Sequence, residues 1–97
     1  MLYLQVLEYI KIYIMSGVFK CGEKLPSVRE FSNSFKVNPN TMQKALAELE
    51  SLNLIYTERT NGKYVTKDVK VVEKLKDEYA LTLAKSYFEG KQILLNI

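Results

Sequence analysis

The run Asn38-Pro39-Asn40-Thr41-Met42-Gln43-Lys44 gathers carboxamides, a hydroxyl and an ammonium into one short stretch. Such groups present flat donor and acceptor edges. Asn and Gln pair bidentately with adenine, and Lys contacts guanine, in the major groove of a duplex. Arg29 precedes this stretch and is placed to reach a backbone phosphate. Arg59 and Lys63 flank Thr60-Asn61-Gly62, a tip suited to enter or bracket a minor groove. Glu48 and Glu50 lie further along, where repulsion from phosphate matters less. Taken singly, each polar residue is also what a solvated helix face carries. The case for duplex recognition therefore rests on the elements that would hold them together.

Two helix starts frame the polar run. Ser27-Val28-Arg29-Glu30 fits a capping box, in which the serine caps the Glu30 N–H and the Glu30 side chain reaches back. Val28, Phe31 and Phe35 give that helix an apolar face, and it stops near Phe35. Asn38 then caps a second helix with Pro39 at its first position, where a missing N–H is harmless. Met42, Ala45, Leu46 and Leu49 form its buried face, and it closes near Leu52. Leu54–Arg59 and Lys63–Lys67 read as two strands, with Thr60-Asn61-Gly62 as a tight Asn-Gly turn.

A first helix over 2–16 carries Tyr3, Val6, Leu7, Ile10, Tyr13 and Ile14 as a core stripe, with Leu4 and Ile12 off it. Ser16-Gly17 ends it, and residues 17–26 form a loop. Asp68 caps a last helix over roughly 69–90. It repeats Val72, Leu75, Tyr79, Leu83 and Tyr87 on one face and Leu81, Ala84 and Phe88 on another. A helix apolar on more than one face wants more than one packing partner. Gly90 ends it, before the apolar tail Ile93, Leu94, Leu95 and Ile97.

The 97 residues carry a net charge of +3, mildly basic and compatible with nucleic acid. A core of this size is modest, so oligomerisation is a natural source of stability. The single cysteine, Cys21, excludes an internal disulfide and is expected to be a reduced, semi-buried thiol. The apolar stretch 1–15 lacks the basic flank of a signal peptide and is too short to span a bilayer. The simplest location is the cytoplasm, with no membrane partner. There is no His, no Gly-rich phosphate loop, no nucleophile elbow and no metal-ligand spacing. Neither an enzyme nor a cofactor is expected.

On these residues the chain resembles the GntR family of bacterial transcription regulators over about Leu4 to Val65. The resemblance is carried by Ser16-Gly17, Gly22-Glu23-Lys24-Leu25-Pro26-Ser27-Val28-Arg29-Glu30 and Val37-Asn38-Pro39-Asn40-Thr41-Met42. Ala45-Leu46, Leu49-Glu50, Leu54-Ile55 and Gly62-Lys63-Tyr64-Val65 continue it. The Val-Asn-Pro-Asn-Thr run and the short helical tail resemble the YtrA subfamily. The resemblance implies a mainly α fold with a small β-hairpin wing, a winged helix-turn-helix over 1–67. It also implies a C-terminal dimerisation element over 68–97. The implied function is sequence-specific binding of a pseudo-palindromic double-stranded operator by a homodimer, most simply as a repressor.

By position, Arg29 matches the family's phosphate-contacting arginine. Asn38, Pro39, Asn40, Thr41 and Gln43 match its base- and phosphate-contacting segment, and Gly62 its wing-tip glycine. Lys36, Lys44, Arg59, Asn61 and Lys63 complete the expected DNA-binding set. Lys36 stands where the family usually has glycine, Pro39 and Gln43 where arginine is common, and Thr60 in place of a first wing glycine. These departures imply weaker, or differently specific, DNA binding. Tyr64 falls at a family core position. The residues after Val65 leave room for one helix and a tail, too little to enclose a metabolite alone. Val72, Leu75, Tyr79, Leu83 and Tyr87 are therefore expected at a dimer seam, with Leu4 and Ile12 beside them. Whether a small-molecule effector binds is left open.

Two other classes compete. A winged-helix adaptor for proteins would show an apolar or acidic face at 38–44, which is instead polar with one Lys. RNA binding would want a stacking platform, for which the hairpin offers only Tyr56 and Tyr64.

Overall fold

A computed structural model describes residues 2–88. In chain order the elements are α1 (Tyr3–Met15), α2 (Val28–Phe35), α3 (Pro39–Ser51), β1 (Ile55–Glu58), β2 (Gly62–Val65) and α4 (Val69–Phe88). Gly90 and the tail 91–97 lie outside the described residues.

The helical spacing read from the sequence is what closes the core. Val6, Leu7, Ile10 and Ile14 of α1 are buried, as are Met42, Ala45, Leu46 and Leu49 of α3. Leu25, Phe31, Leu54, Ile55, Val65 and Val72 complete the cluster. Tyr3 and Tyr13, expected on the α1 stripe, pack at its edge rather than within it. For Tyr13 the reason is aromatic: it meets Phe19 edge-on at 5.5 Å, and Phe19 meets Phe31 at 5.7 Å. These tilted pairs seal α1 against α2 in the geometry that ring quadrupoles favour.

Both caps form as the sequence implies. The Glu30 N–H donates to Ser27 Oγ at 3.2 Å, and the Ser27 N–H donates to Glu30 Oε1 at 3.4 Å. Lys36 ends α2 in the left-handed region, φ 54° and ψ 47°. That conformation lets the Val37 N–H reach back to the Ser32 carbonyl at 3.0 Å. Asn53, φ 62°, ends α3 the same way, and the Leu54 N–H donates to the Leu49 carbonyl at 3.0 Å.

The hairpin pairs Ile55 with Val65, Tyr56 with Tyr64, Thr57 with Lys63 and Glu58 with Gly62. Gly62 is therefore the first residue of β2, not part of the turn, and the strands are shorter than the sequence reading. The Asn61 N–H closes the turn on the Glu58 carbonyl at 3.3 Å. The chain then leaves through Gly62 at φ 102°, a conformation suited to glycine.

Two further readings are corrected. The stretch 17–26 is not wholly loop, because Lys24 bridges to Tyr64 beside β2. The Leu25 N–H donates to the Lys63 carbonyl at 2.8 Å, and the Val65 N–H to the Glu23 carbonyl at 2.9 Å. Cys21 is exposed, not semi-buried. It stands at the corner of a turn closed from the Glu23 N–H to the Lys20 carbonyl at 2.9 Å, which lifts it off the core.

Asp68 caps α4 through the Lys70 N–H at 3.0 Å, and the helix packs on α1. Val72, expected at a dimer seam, is instead buried in the chain's own core, with Leu75 against it. Tyr79 and Leu83 are half-buried along a groove that includes Ile12. Leu81, Tyr87 and Phe88 of the same helix are exposed, while Ser86 among them is buried. Leu4 is also exposed. No helix among the described residues is long and apolar enough to cross a membrane.

Candidate nucleic-acid interface

The start of α3 is the centre of the site. Its first turn carries the positive end of the helix dipole and, with Pro39 lacking an N–H and Asn40 capped, leaves the Thr41 N–H uncommitted among the described residues. Asn38 Oδ1 accepts from the Asn40 N–H at 2.7 Å, so the Asn38 carboxamide serves as the cap. Asn40 and Gln43 are exposed, and their carboxamides have no partner among the described residues. Each offers an acceptor and a donor side by side, the pattern that matches an adenine edge. Thr41 is half-buried, and Pro39 is exposed at the first position of the helix.

Cations surround this turn. Arg29, exposed in the first turn of α2, has no acidic partner among the described residues. Lys36 is exposed at the corner between α2 and α3. Lys44 behaves differently: its Nζ stands 4.1 Å above the centre of the Tyr3 ring. This contact binds the ammonium to α1 and fixes its direction.

At the wing, Arg59 and Asn61 are exposed in the turn, and Gly62 follows. Lys63, placed by sequence at the tip, instead turns toward α3. Its Nζ lies 3.1 Å from Glu50 Oε1 and 2.8 Å from Thr57 Oγ1. Thr57 Oγ1 also donates to Glu50 Oε1 at 2.6 Å. The Thr57 hydrogen bond, and after it Lys63, hold the Glu50 carboxyl below the ordinary glutamate range.

Three residues here lie outside the DNA-contacting set read from the sequence: Lys24, Thr57 and Glu50, the last read only as an acid where repulsion from phosphate matters less. A groove of about 370 Å³ runs between the wing and the start of α2, lined by Lys24, Ser27, Asn61 and Gly62 among others. Lys24 Cε would lie 3.6 Å from a Cβ on Gly62, so the lysine crosses beneath the tip. Its signal was its place in the Glu-Lys-Leu-Pro run before the α2 cap. For Thr57, and for the partners of Glu50, the signal is tertiary.

Tyr56 and Tyr64 stack at 5.6 Å and 17° on the wing face opposite Ile55 and Val65. Tyr64 thus sits half-buried outside the core that the resemblance implied. The two rings cover each other, which leaves little platform for a base.

Helices α2 and α3, joined through a left-handed corner and followed by a paired hairpin, make a winged helix-turn-helix. The chain belongs to the GntR family: "Bacterial regulatory proteins, gntR family" matches residues 2–65. It is 41% identical over 69 residues to the HTH-type transcriptional repressor YtrA of Bacillus subtilis, covering 71% of this chain and 53% of YtrA. It is 36% identical over 89 residues to the uncharacterized HTH-type transcriptional regulator YhcF of the same organism, covering 92% of this chain and 70% of YhcF. The chain thus spans about half the length of YtrA.

Among solved structures, a GntR family transcriptional regulator from Listeria monocytogenes superposes with a TM-score of 0.87 at 41% identity. That match covers 91% of this chain and 77% of the other. AraR(DBD), solved in complex with operator ORR3, gives a TM-score of 0.63 at 33% identity, covering 66% of this chain and 77% of that one.

Proposed function

We propose that this chain is a transcription repressor that binds a pseudo-palindromic duplex operator as a homodimer in the bacterial cytoplasm. The observation that carries the reading is the pair of uncommitted carboxamides, Asn40 and Gln43, at the exposed start of α3. In this reading α3 enters the major groove, and Asn40, Thr41 and Gln43 meet base edges. Arg29, Lys36 and the Thr41 N–H of the first α3 turn hold phosphates. Arg59, Asn61 and Gly62 approach the minor groove. Operator complexes of AraR(DBD) and the repressor YtrA support the same assignment by similarity.

Residues 1–67 form the DNA-binding domain in this reading, and 68–97 supply the dimer contact. The exposed Leu81, Tyr87 and Phe88 support that role for the far part of α4. The deciding experiment selects bound sites from random duplex DNA at near-physiological salt, with sedimentation of the same sample. A recovered palindrome bound by a dimer is the expected result. A folded dimer that enriches no sequence overturns the proposal and favours a protein adaptor.

A further inference from the structure

Glu50 lies about two helical turns after Gln43, on the continuation of the face that carries it. An acidic group there would face the duplex. Lys63 and Thr57, direct partners across the hairpin, both reach the same oxygen of that carboxylate. We propose that Lys63 is a positioning residue: with Thr57 it docks the wing onto α3 through Glu50 and screens that carboxylate from DNA. It is not a groove contact. This inference rests on the DNA-binding reading and reassigns one member of its contact set.

Three observations converge on this role. The contacts are closed among the three groups, since Lys63 Nζ also reaches Thr57 Oγ1 at 2.8 Å. The Lys63 side chain is only 29% exposed, against a fully solvated reach for a groove-entering lysine. The Thr57 and Lys63 contacts also stabilise the charged form of Glu50, so the carboxylate is ionised and needs a counter-charge. The wing itself is a short hairpin, which is marginal alone and takes its angle from what it packs on. A three-group contact between the recognition helix and both strands fixes that angle.

The test is a double-mutant cycle on the full chain with Lys63→Met, Glu50→Gln and the pair, read in two ways. In the free protein, carbon-detected NMR titration follows the Glu50 carboxyl. Lys63→Met and Thr57→Val should each move it back toward the ordinary glutamate value. No movement in either variant overturns the docking. On the selected duplex, Lys63→Met should bind about twofold to fivefold more weakly, the span of an exposed ion pair. Glu50→Gln should bind at least as tightly as wild type. The double variant, which keeps the local charge balance, should return to within about twofold of wild type.

A direct phosphate contact behaves otherwise. Lys63→Met would then lower the slope of log affinity against log salt by about one, and Glu50→Gln would not rescue it. That pattern overturns the proposal. If wild type binds no duplex, the DNA-binding reading falls and the screening role falls with it. The titration then still reports whether the wing is docked.

Discussion

The Asn38 side-chain oxygen and the Asn40 N–H are joined by a 2.7 Å hydrogen bond across the first turn of α3. Two asparagines of one motif thus hold different posts. Asn38→Ala should destabilise the fold by about 1 kcal/mol through loss of the cap. For a domain of this size that lowers Tm by about 4–8 °C. Asn40→Ala should leave Tm unchanged and weaken binding to the selected operator. Calorimetry of both variants decides this, and equal losses of Tm would refute the division of labour.

Lys36 holds a left-handed conformation that suits glycine. Relief of that strain outweighs the entropy that glycine adds to the unfolded chain. Lys36→Gly should therefore raise stability by up to about 1 kcal/mol. It should also remove one cation from the proposed DNA face and lower the salt slope by about one. A denaturant melt that shows a loss of stability would mean that the lysine is held by something stronger than backbone preference.

Much of this site was legible in the sequence because its parts are local. Caps, the Pro39 start and the apolar spacing of α3 depend on neighbours within a turn, and all three stand as read. What was not legible depends on contacts distant in sequence. Lys63 looked like a tip cation because its sequence neighbours are the turn, yet its partner is Glu50 on α3. Lys44 looked free, but Tyr3 from the chain's start lies under it. Val72 looked like a seam residue because a heptad-like stripe does not say which partner fills it; α1 and the core do. The isolated bridge at Lys24, beside the two-stranded hairpin, involves too few residues for any periodicity to show.

Arg29 and Gln43 separate affinity from specificity. Arg29→Ala should weaken binding to specific and random duplexes alike and lower the salt slope by about one. Gln43→Ala should cost about 1–3 kcal/mol on the preferred operator and relax base choice at one half-site position. Titrations on both duplexes at several salt concentrations test the pair. If Gln43→Ala loses as much on random DNA as on the operator, its base-reading role fails.

The hydroxyl of Tyr79 is buried and has no hydrogen-bond partner among the described residues. Burial first, and the nearby Glu8 charge second, push its pKa above the ordinary tyrosine value. The folded state then favours the neutral phenol. This contribution is fully present below the unfolded tyrosine pKa of about 10 and is lost as pH rises through the folded value. Tyr79→Phe should hold or raise Tm at neutral pH, because no bond is broken and an unpaired group is removed. It should also flatten the loss of stability on the alkaline side. An unchanged alkaline limb in the variant would place the titrating group elsewhere.

The proposed dimer contact is best tested at the far end of α4. Cutting the chain after Thr66 would also strip Val72, 5% exposed, from the core, so a loss of dimer would be confounded with a loss of fold. Leu81 and Tyr87 are 71% and 89% exposed and contribute little to the chain's own packing. Leu81→Glu with Tyr87→Glu should therefore keep the melting transition at low protein concentration while shifting sedimentation from dimer to monomer. Burying two like-charged carboxylates at a two-fold seam is costly, and symmetry doubles each substitution. Operator affinity should fall with the dimer, since one half-site alone binds weakly. A variant that stays dimeric at micromolar concentration would move the seam to the α1 surface around Leu4.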